Sequence, residues 1–147
     1  MDEAAKKVLS RLQAQCSRRE YCSTDIRLKA LKALDGNSDA AAEVLESLLS
    51  EGYVSDLRYA AAFARDKAHL GGWGPVKIRY ALSCKGIDKE IINRALGEVE
   101  PDSASGKLQS LMAAKARTLE GDPQARLKLI RFALSRGYEY SDIQQYL

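Results

Sequence analysis

Apolar residues recur three and four positions apart along almost the whole chain, the spacing of one face of a helix. Val8 and Leu12 begin the series, followed by Ile26, Ala30 and Leu34, then by Val44, Leu45, Leu48 and Leu49. Tyr59 and Phe63 share a face, as do Ile78 and Leu82. Ile91, Ile92, Ala95, Leu96 and Val99 form a broader stripe. Leu108, Leu111, Met112, Ala116 and Leu119 line another, with Lys115 able to lay its stem along it, and Leu127, Ile130 and Leu134 close the series. No sustained period-two alternation is present, so strands are not expected and the fold class reads as all-α.

Punctuation cuts these stripes into short helices. Asp35-Gly36-Asn37-Ser38 reads as a stop and a start, with Asn37 or Ser38 as the cap of the next helix. Glu51-Gly52, Lys85-Gly86 and Arg136-Gly137 read as helix ends. Gly71-Gly72-Trp73-Gly74-Pro75 is the strongest break, with Pro75 suited to a first helical turn. Asp88 and Ser141 are further candidate caps, Gly121-Asp122-Pro123 opens a helix, and Pro101-Asp102-Ser103-Ala104-Ser105-Gly106 reads as a linker. Helices are expected over 3–17, 23–34, 38–51, 55–70, 75–85, 89–99, 103–120, 123–136 and 140–147. In threes they make tandem units over 1–52, 53–100 and 101–147.

A near-duplicate supports the tandem reading. Arg79-Tyr80-Ala81-Leu82-Ser83-Cys84-Lys85-Gly86 and Arg131-Phe132-Ala133-Leu134-Ser135-Arg136-Gly137 begin 52 residues apart. Units of about that length cannot bury an apolar face alone, so copies must stack. A stack offers a long surface and no deep pocket, which points to a binding protein.

Composition narrows the class further. The 147 residues are 29% charged and 46% hydrophobic, a foldable balance with no apolar run near the roughly 20 residues a bilayer requires. The amphipathic start, Met1 to Lys7, lacks a secretory apolar stretch, and Cys16, Cys22 and Cys84 have no CxxC spacing; both features suggest a reducing cytoplasm. The net charge of +3 is unevenly spread: +3 over 1–36, −4 over 37–64, +4 over 65–94, −3 over 95–106, +5 over 107–136 and −2 over 137–147. Blocks of one sign suit a polyanion or an acidic protein groove, and they equally suit a solvated helical surface.

Two blocks suggest a site. Lys77, Arg79 and Lys85 fall on the polar side of the helix over 75–85, and Arg65 and Lys67 precede the glycine turn. Arg126, Lys128, Arg131 and Arg136 repeat the arrangement in the third unit. Such a strip can pair with phosphates or with carboxylates, while Lys85 and Arg136 can simply favour helix ends. Trp73 either stacks on a base or docks in a partner, or else plugs the neighbouring helix. Tyr53, Tyr59 and Phe63 read as junction core, Asp56 as a brace for the start of the unit-two helix, Arg58 as a cross-junction partner and Cys84 as a core or boundary residue. No catalytic constellation is apparent in the sequence. His69 is the single histidine, with no metal-ligand spacing around it, and no GxxxxGK[ST] loop occurs, so neither enzyme activity, metal nor cofactor is expected.

Gly52-Tyr53-Val54-Ser55-Asp56-Leu57-Arg58-Tyr59-Ala60 resembles a signature of the RecX family. Gly74-Pro75-Val76-Lys77-Ile78, then Ala81-Leu82 and Lys85-Gly86-Ile87, is similar to that family's glycine-led helix ending in Lys-Gly-Ile. The match is strong over about residues 22–99 and weaker through Phe132 to Gly137. Cys22-Ser23-Thr24-Asp25-Ile26 departs from the family's Ser-x-x-Glu-Leu, and Ala33-Leu34-Asp35-Gly36 replaces its Lys-Gly. The resemblance implies three three-helix repeats in an elongated, curved array. It also implies a partner, the RecA filament on single-stranded DNA, whose ATP turnover, strand exchange and growth the protein restrains; a monomer is expected. The alternative is a basic helical-repeat protein that binds DNA without RecA.

Overall fold

A computed structural model describes residues 1–99 and 101–147, the side chains of 101–105 excepted. Regular structure among them is helical throughout: α1 (Glu3–Cys16), α2 (Ser23–Ala33), α3 (Ser38–Ser50), α4 (Asp56–His69), α5 (Pro75–Cys84), α6 (Lys89–Gly97), α7 (Pro101–Thr118), α8 (Ala125–Ser135) and α9 (Tyr140–Ile143), the last running into a 3-10 turn at Gln144–Tyr146. Local chemistry sets most of the boundaries. Asp2, Asn37, Ser55 and Asp88 each accept a first-turn amide, from Ala5, Ala40, Arg58 and Glu90, respectively. Pro75 opens α5. The expected linker instead forms the start of α7, and α9 begins at Tyr140 with no side-chain cap from Ser141.

Three helix triplets enclose three cores. The first gathers Val8 and Leu12 of α1, Ile26 and Ala30 of α2, and Val44 and Leu48 of α3. The second gathers Ala60, Ala64 and Ala68 of α4, Ile78 and Leu82 of α5, and Ile92 and Ala95 of α6. The third, built on Leu108, Met112, Ala133, Tyr138 and Ile143, is the smallest. The accessible surface is 8877 Å². A compact monomer of this mass exposes about 7,500 Å², so the array is elongated.

The two helix ends inside the near-duplicate peptides show how the repeat is registered. Gly86 and Gly137 both hold left-handed backbone, φ 74° and 92°, as a glycine C-cap requires. The next amides reach back to Leu82 O (from Ile87) and Ala133 O (from Tyr138). Structural equivalence thus pairs Leu82 with Ala133, one position away from the apparent sequence match of Leu82 with Leu134. Leu82 is fully buried and Leu134 is 47% exposed.

The repeats meet through two unlike joints. At the first, Glu20 pairs with Arg58 at 2.8 Å, and Asp25 with Lys85 at 3.0 Å. Asp56 accepts from both the amide and the hydroxyl of Ser23, each at 2.7 Å. Ser55 is the cap of α4, so Asp56 braces the start of α2, across the joint, instead of its own helix. Cys22 completes this joint by burying its thiol in the second core.

The second joint is made of backbone. Gly74 N donates to Arg136 O at 2.7 Å and Val76 N to Gly137 O at 2.9 Å. The Tyr138 hydroxyl donates to Gly72 O at 3.1 Å. α7 closes over the same turn, with Leu111 and Lys107 against Gly72. These contacts fix the angle between α5 and α8, and with it the surface described next.

Candidate functional site

The expected site residues divide by what holds them. Arg65 lies 3.8 Å from Glu98, Lys85 is bonded to Asp25, and Lys128 is bonded to Asp122 at 2.6 Å. Arg79 donates to the side chain of Asn93 at 2.6 Å. The Asp25 carboxylate holds the Lys85 ammonium charged to higher pH than an ordinary lysine. The Lys128 ammonium, with the amide of Gln124, keeps the Asp122 carboxyl below its usual range. These side chains are engaged at the first joint (Lys85), within the second triplet (Arg65, Arg79) and at the start of α8 (Lys128).

Lys67, Trp73, Lys77 and Arg136 are brought together at the second joint. The Lys67 ammonium lies 4.8 Å from the Trp73 indole centroid and the Lys77 ammonium 4.4 Å from it. The Trp73 ring meets Phe63 edge-on at 6.1 Å, and Phe63 stacks in turn on Tyr59. The indole is therefore a half-buried member of the second core with cations at its surface, combining the docked and the accessible readings. Arg136 donates to Gly71 O at 3.4 Å and lies 5.4 Å from the Phe132 ring, which Lys115 also approaches at 5.5 Å. Among the described residues, none of Lys67, Lys77, Lys107, Lys115 or Arg136 has a carboxylate within ion-pair distance. Each cation–π contact contributes about 0.5–1 kcal/mol at such exposure, enough to orient an ammonium group without neutralising it.

Lys107 and Lys115 escape sequence reasoning as members of this group. Lys107, Leu111 and Lys115 repeat at four-residue steps, which places them on one face. That this face turns toward Gly72 and Phe132 is decided by how α7 packs. Arg126 and Arg131 stand exposed on α8, without partners among the described residues.

The remaining signature residues are structural. Tyr53 packs on the first core and Tyr59 on the second, where burial raises the Tyr59 phenol above its ordinary range. Arg58 also donates to Gly52 O at 2.8 Å, and its bond to Glu20 raises its affinity for the proton. Gly74 and Gly86 serve the second joint and the end of α5, respectively. Cys84, expected at the core or its boundary, is exposed, because α5 turns Ile78 and Leu82 inward. Among the described residues, no group of three or more His, Cys, Asp or Glu side chains is placed to hold a metal ion, and no helix is long and apolar enough to cross a membrane.

Comparison with known proteins places this geometry. Residues 55–96 match the family model described as RecX, second three-helix domain, and residues 107–147 match RecX, third three-helix domain. The chain is 31% identical over 128 residues to the regulatory protein RecX of Chromohalobacter salexigens, covering 87% of this chain and 82% of the relative. It is 30% identical over 141 residues to the regulatory protein RecX of Escherichia coli, covering 86% and 81%. The crystal structure of RecX from Lactobacillus salivarius superposes with a TM-score of 0.88 at 23% identity, over 99% of this chain and 96% of that one. A second crystal structure, of a regulatory protein RecX, gives 0.87 at 24% identity over 98% and 71%; both likenesses concern the fold. With two of its three helix triplets matched domain by domain, and relatives aligned over most of its length, this chain belongs to the RecX family.

Proposed function

We propose that this protein is a regulator that binds the RecA filament on single-stranded DNA and restrains its ATP hydrolysis, strand exchange and growth. The units taking part are 1–52, 53–100 and 101–147, acting as a monomer in the cytoplasm. The observation that carries the reading is the group of uncompensated cations around Trp73 and the Gly71–Gly74 turn. Cations held by aromatic rings, rather than by carboxylates, keep their charge available to an anionic partner. The elongated shape adds reach, since a filament groove offers contacts spread over several subunits. The name shared by the relatives, regulatory protein RecX, supports a regulatory role over a catalytic one. The ATP hydrolysed would be RecA's, and this chain would act by occupying the groove.

The test is a titration of the purified protein into RecA hydrolysing ATP on single-stranded DNA. Hydrolysis is expected to fall at or below stoichiometric ratios. An unchanged rate across a wide titration overturns the proposal. Tight, salt-sensitive binding to bare oligonucleotides with no preference for filaments would favour a DNA-binding protein that needs no RecA.

A further inference from the structure

A pocket of about 160 Å³ opens at the second joint, lined by Tyr138 of the third repeat and by Ala68, Trp73, Ile78, Leu96 and Val99 of the second. Every side chain lining it is apolar or aromatic. The one hydroxyl among them, on Tyr138, is already bonded to Gly72 O. Trp73, Leu96 and Val99 are half-buried, so the pocket reaches the surface. An apolar cavity of this size stays dry and takes a molecule as large as benzene. That corresponds to one leucine, isoleucine or phenylalanine side chain.

Trp73 ties this pocket to the cations around it. The indole that forms one wall also carries the Lys67 and Lys77 ammonium groups, 4.8 and 4.4 Å from its ring centroid. Both lysines are half-buried, and neither has a carboxylate partner among the described residues. The indole N–H donates to no group among those residues either. An apolar recess, two unspent positive charges and one unspent donor thus share a single side chain.

A nucleic-acid strand fits this combination poorly. A phosphodiester has no apolar group to fill the recess. A base carries donors and acceptors on its edges, and an apolar lining would leave them unpaired. The indole it would stack on already carries two ammonium groups. A peptide segment fits well, with one large apolar side chain for the recess and carboxylates on neighbouring residues for the lysines.

We infer that the second-joint pocket seats one large apolar side chain from an acidic segment of a protein partner, whose flanking carboxylates pair with Lys67 and Lys77. The inference rests on the reading of the partner as a protein filament and adds the chemistry that one of its contacts must have.

Trp73 is the chain's single tryptophan, so its emission reports on the pocket directly. The full-length protein is titrated, at fixed ionic strength and without RecA, with the capped peptide Asp-Glu-Phe-Glu-Asp up to millimolar concentration. Trp73 emission is expected to shift and saturate. The same peptide with alanine in place of phenylalanine is expected to bind at least about tenfold more weakly. A version with lysines in place of the acidic residues is expected to give no saturable response. Ala68→Leu fills the pocket and is expected to lose the peptide response while still melting cooperatively. Val99→Phe fills it from the rim and serves if the added bulk on α4 unfolds the first variant.

No saturable response to the acidic peptide would overturn the inference. So would equal affinity for the alanine analogue, which leaves only charge attraction, or unchanged affinity in both filled variants. A short oligothymidylate that quenches Trp73 more strongly than the peptide, and loses that effect in the filled variants, would assign the pocket to a base and overturn it too. An absent peptide response with inhibition of RecA intact fails this inference alone. Peptide binding without inhibition of RecA fails the filament reading alone.

Discussion

Gly74 and Gly137 stand backbone against backbone, 63 positions apart in the chain, with no room for a side chain on either. A Cβ on Gly74 would fall on the Gly137 carbonyl and 2.6 Å from the Tyr138 nitrogen, and one on Gly137 would fall on Lys77, 2.6 Å from its nitrogen. The atoms in the way are main chain and the Lys77 Cβ fixed to it, in a segment tied by the Gly74 N–Arg136 O and Val76 N–Gly137 O bonds, so neither side can step aside without opening the joint. This single close approach sets where Lys77 and Trp73 lie relative to Arg136.

Alanine at either glycine is therefore expected to destabilise the second joint. Gly74→Ala should cost about 1–3 kcal/mol through overpacking. Gly137→Ala should cost more, because its φ of 92° adds backbone strain. Gly97→Ala, with nothing within 4 Å of the new methyl, is the control. Urea denaturation of the three variants checks the order, and equal midpoints would dismiss the joint as a constraint.

Charge reversal should separate the available cations from the committed ones. Lys67→Glu/Lys77→Glu is expected to abolish inhibition of RecA ATP hydrolysis while helicity and melting remain nearly intact, since both ammonium groups lie at the surface. Arg65→Ala and Arg79→Ala remove a cation engaged with Glu98 or Asn93 and should leave inhibition within about twofold, as expected of weak surface contacts. Equal loss across all of these variants would point to a diffuse electrostatic attraction.

The shifted repeat register gives a sharper stability test. Leu82→Ala empties a fully buried site and should cost about 2–5 kcal/mol. Leu134→Ala, the match suggested by the duplicated peptide, should change stability by less than about 0.5 kcal/mol. Similar losses from both would restore the 52-residue alignment.

The thiols should behave as two classes. Cys84 is exposed and should react promptly with a thiol reagent, whereas Cys16 and Cys22 should react only on unfolding. Burial raises the proton affinity of both inner thiols in the folded chain. The folded state therefore holds these protons more tightly than the unfolded one. The associated stability is complete below the unfolded thiol pKa of about 8.5 and is lost as pH climbs beyond it. Denaturation midpoints should stay level near neutrality and fall above about pH 8.5. The slope should be shallower in Cys16→Ala/Cys22→Ala, and an unchanged slope would assign the alkaline loss to other groups. Lys85, Tyr59 and Tyr138, also raised, contribute with the same sign at higher pH.

Much is legible in the order of residues. The all-helical class, the helix triplets, and the caps at Asn37 and Asp88 follow from contacts within one or two turns, and such contacts are written in neighbouring letters. Arg58 as a cross-joint partner is legible too, through the family signature. The stretch Pro101–Gly106 reads wrongly as a linker because its polar, breaker-rich composition resembles a loop, while the backbone continues as α7. Asp56 reads as a brace for its own helix because a carboxylate at a helix start ordinarily caps locally, and here Ser55 already fills that role.

What the sequence determined by itself is the set of elements and the amount of positive charge each carries. Which charges remain free was settled only in three dimensions. Arg65, Lys85 and Lys128 look no different in sequence from Lys67, Lys77 and Arg136. The first three meet Glu98, Asp25 and Asp122, and the others meet aromatic rings and carbonyls. Which neighbour a cation meets depends on how elements distant in the chain are packed: Asp25 reaches Lys85 across the first joint, and the close approach of Gly74 to Gly137 brings Arg136 to Gly71 at the second. Contacts made across 60 or more positions are recorded in no local pattern.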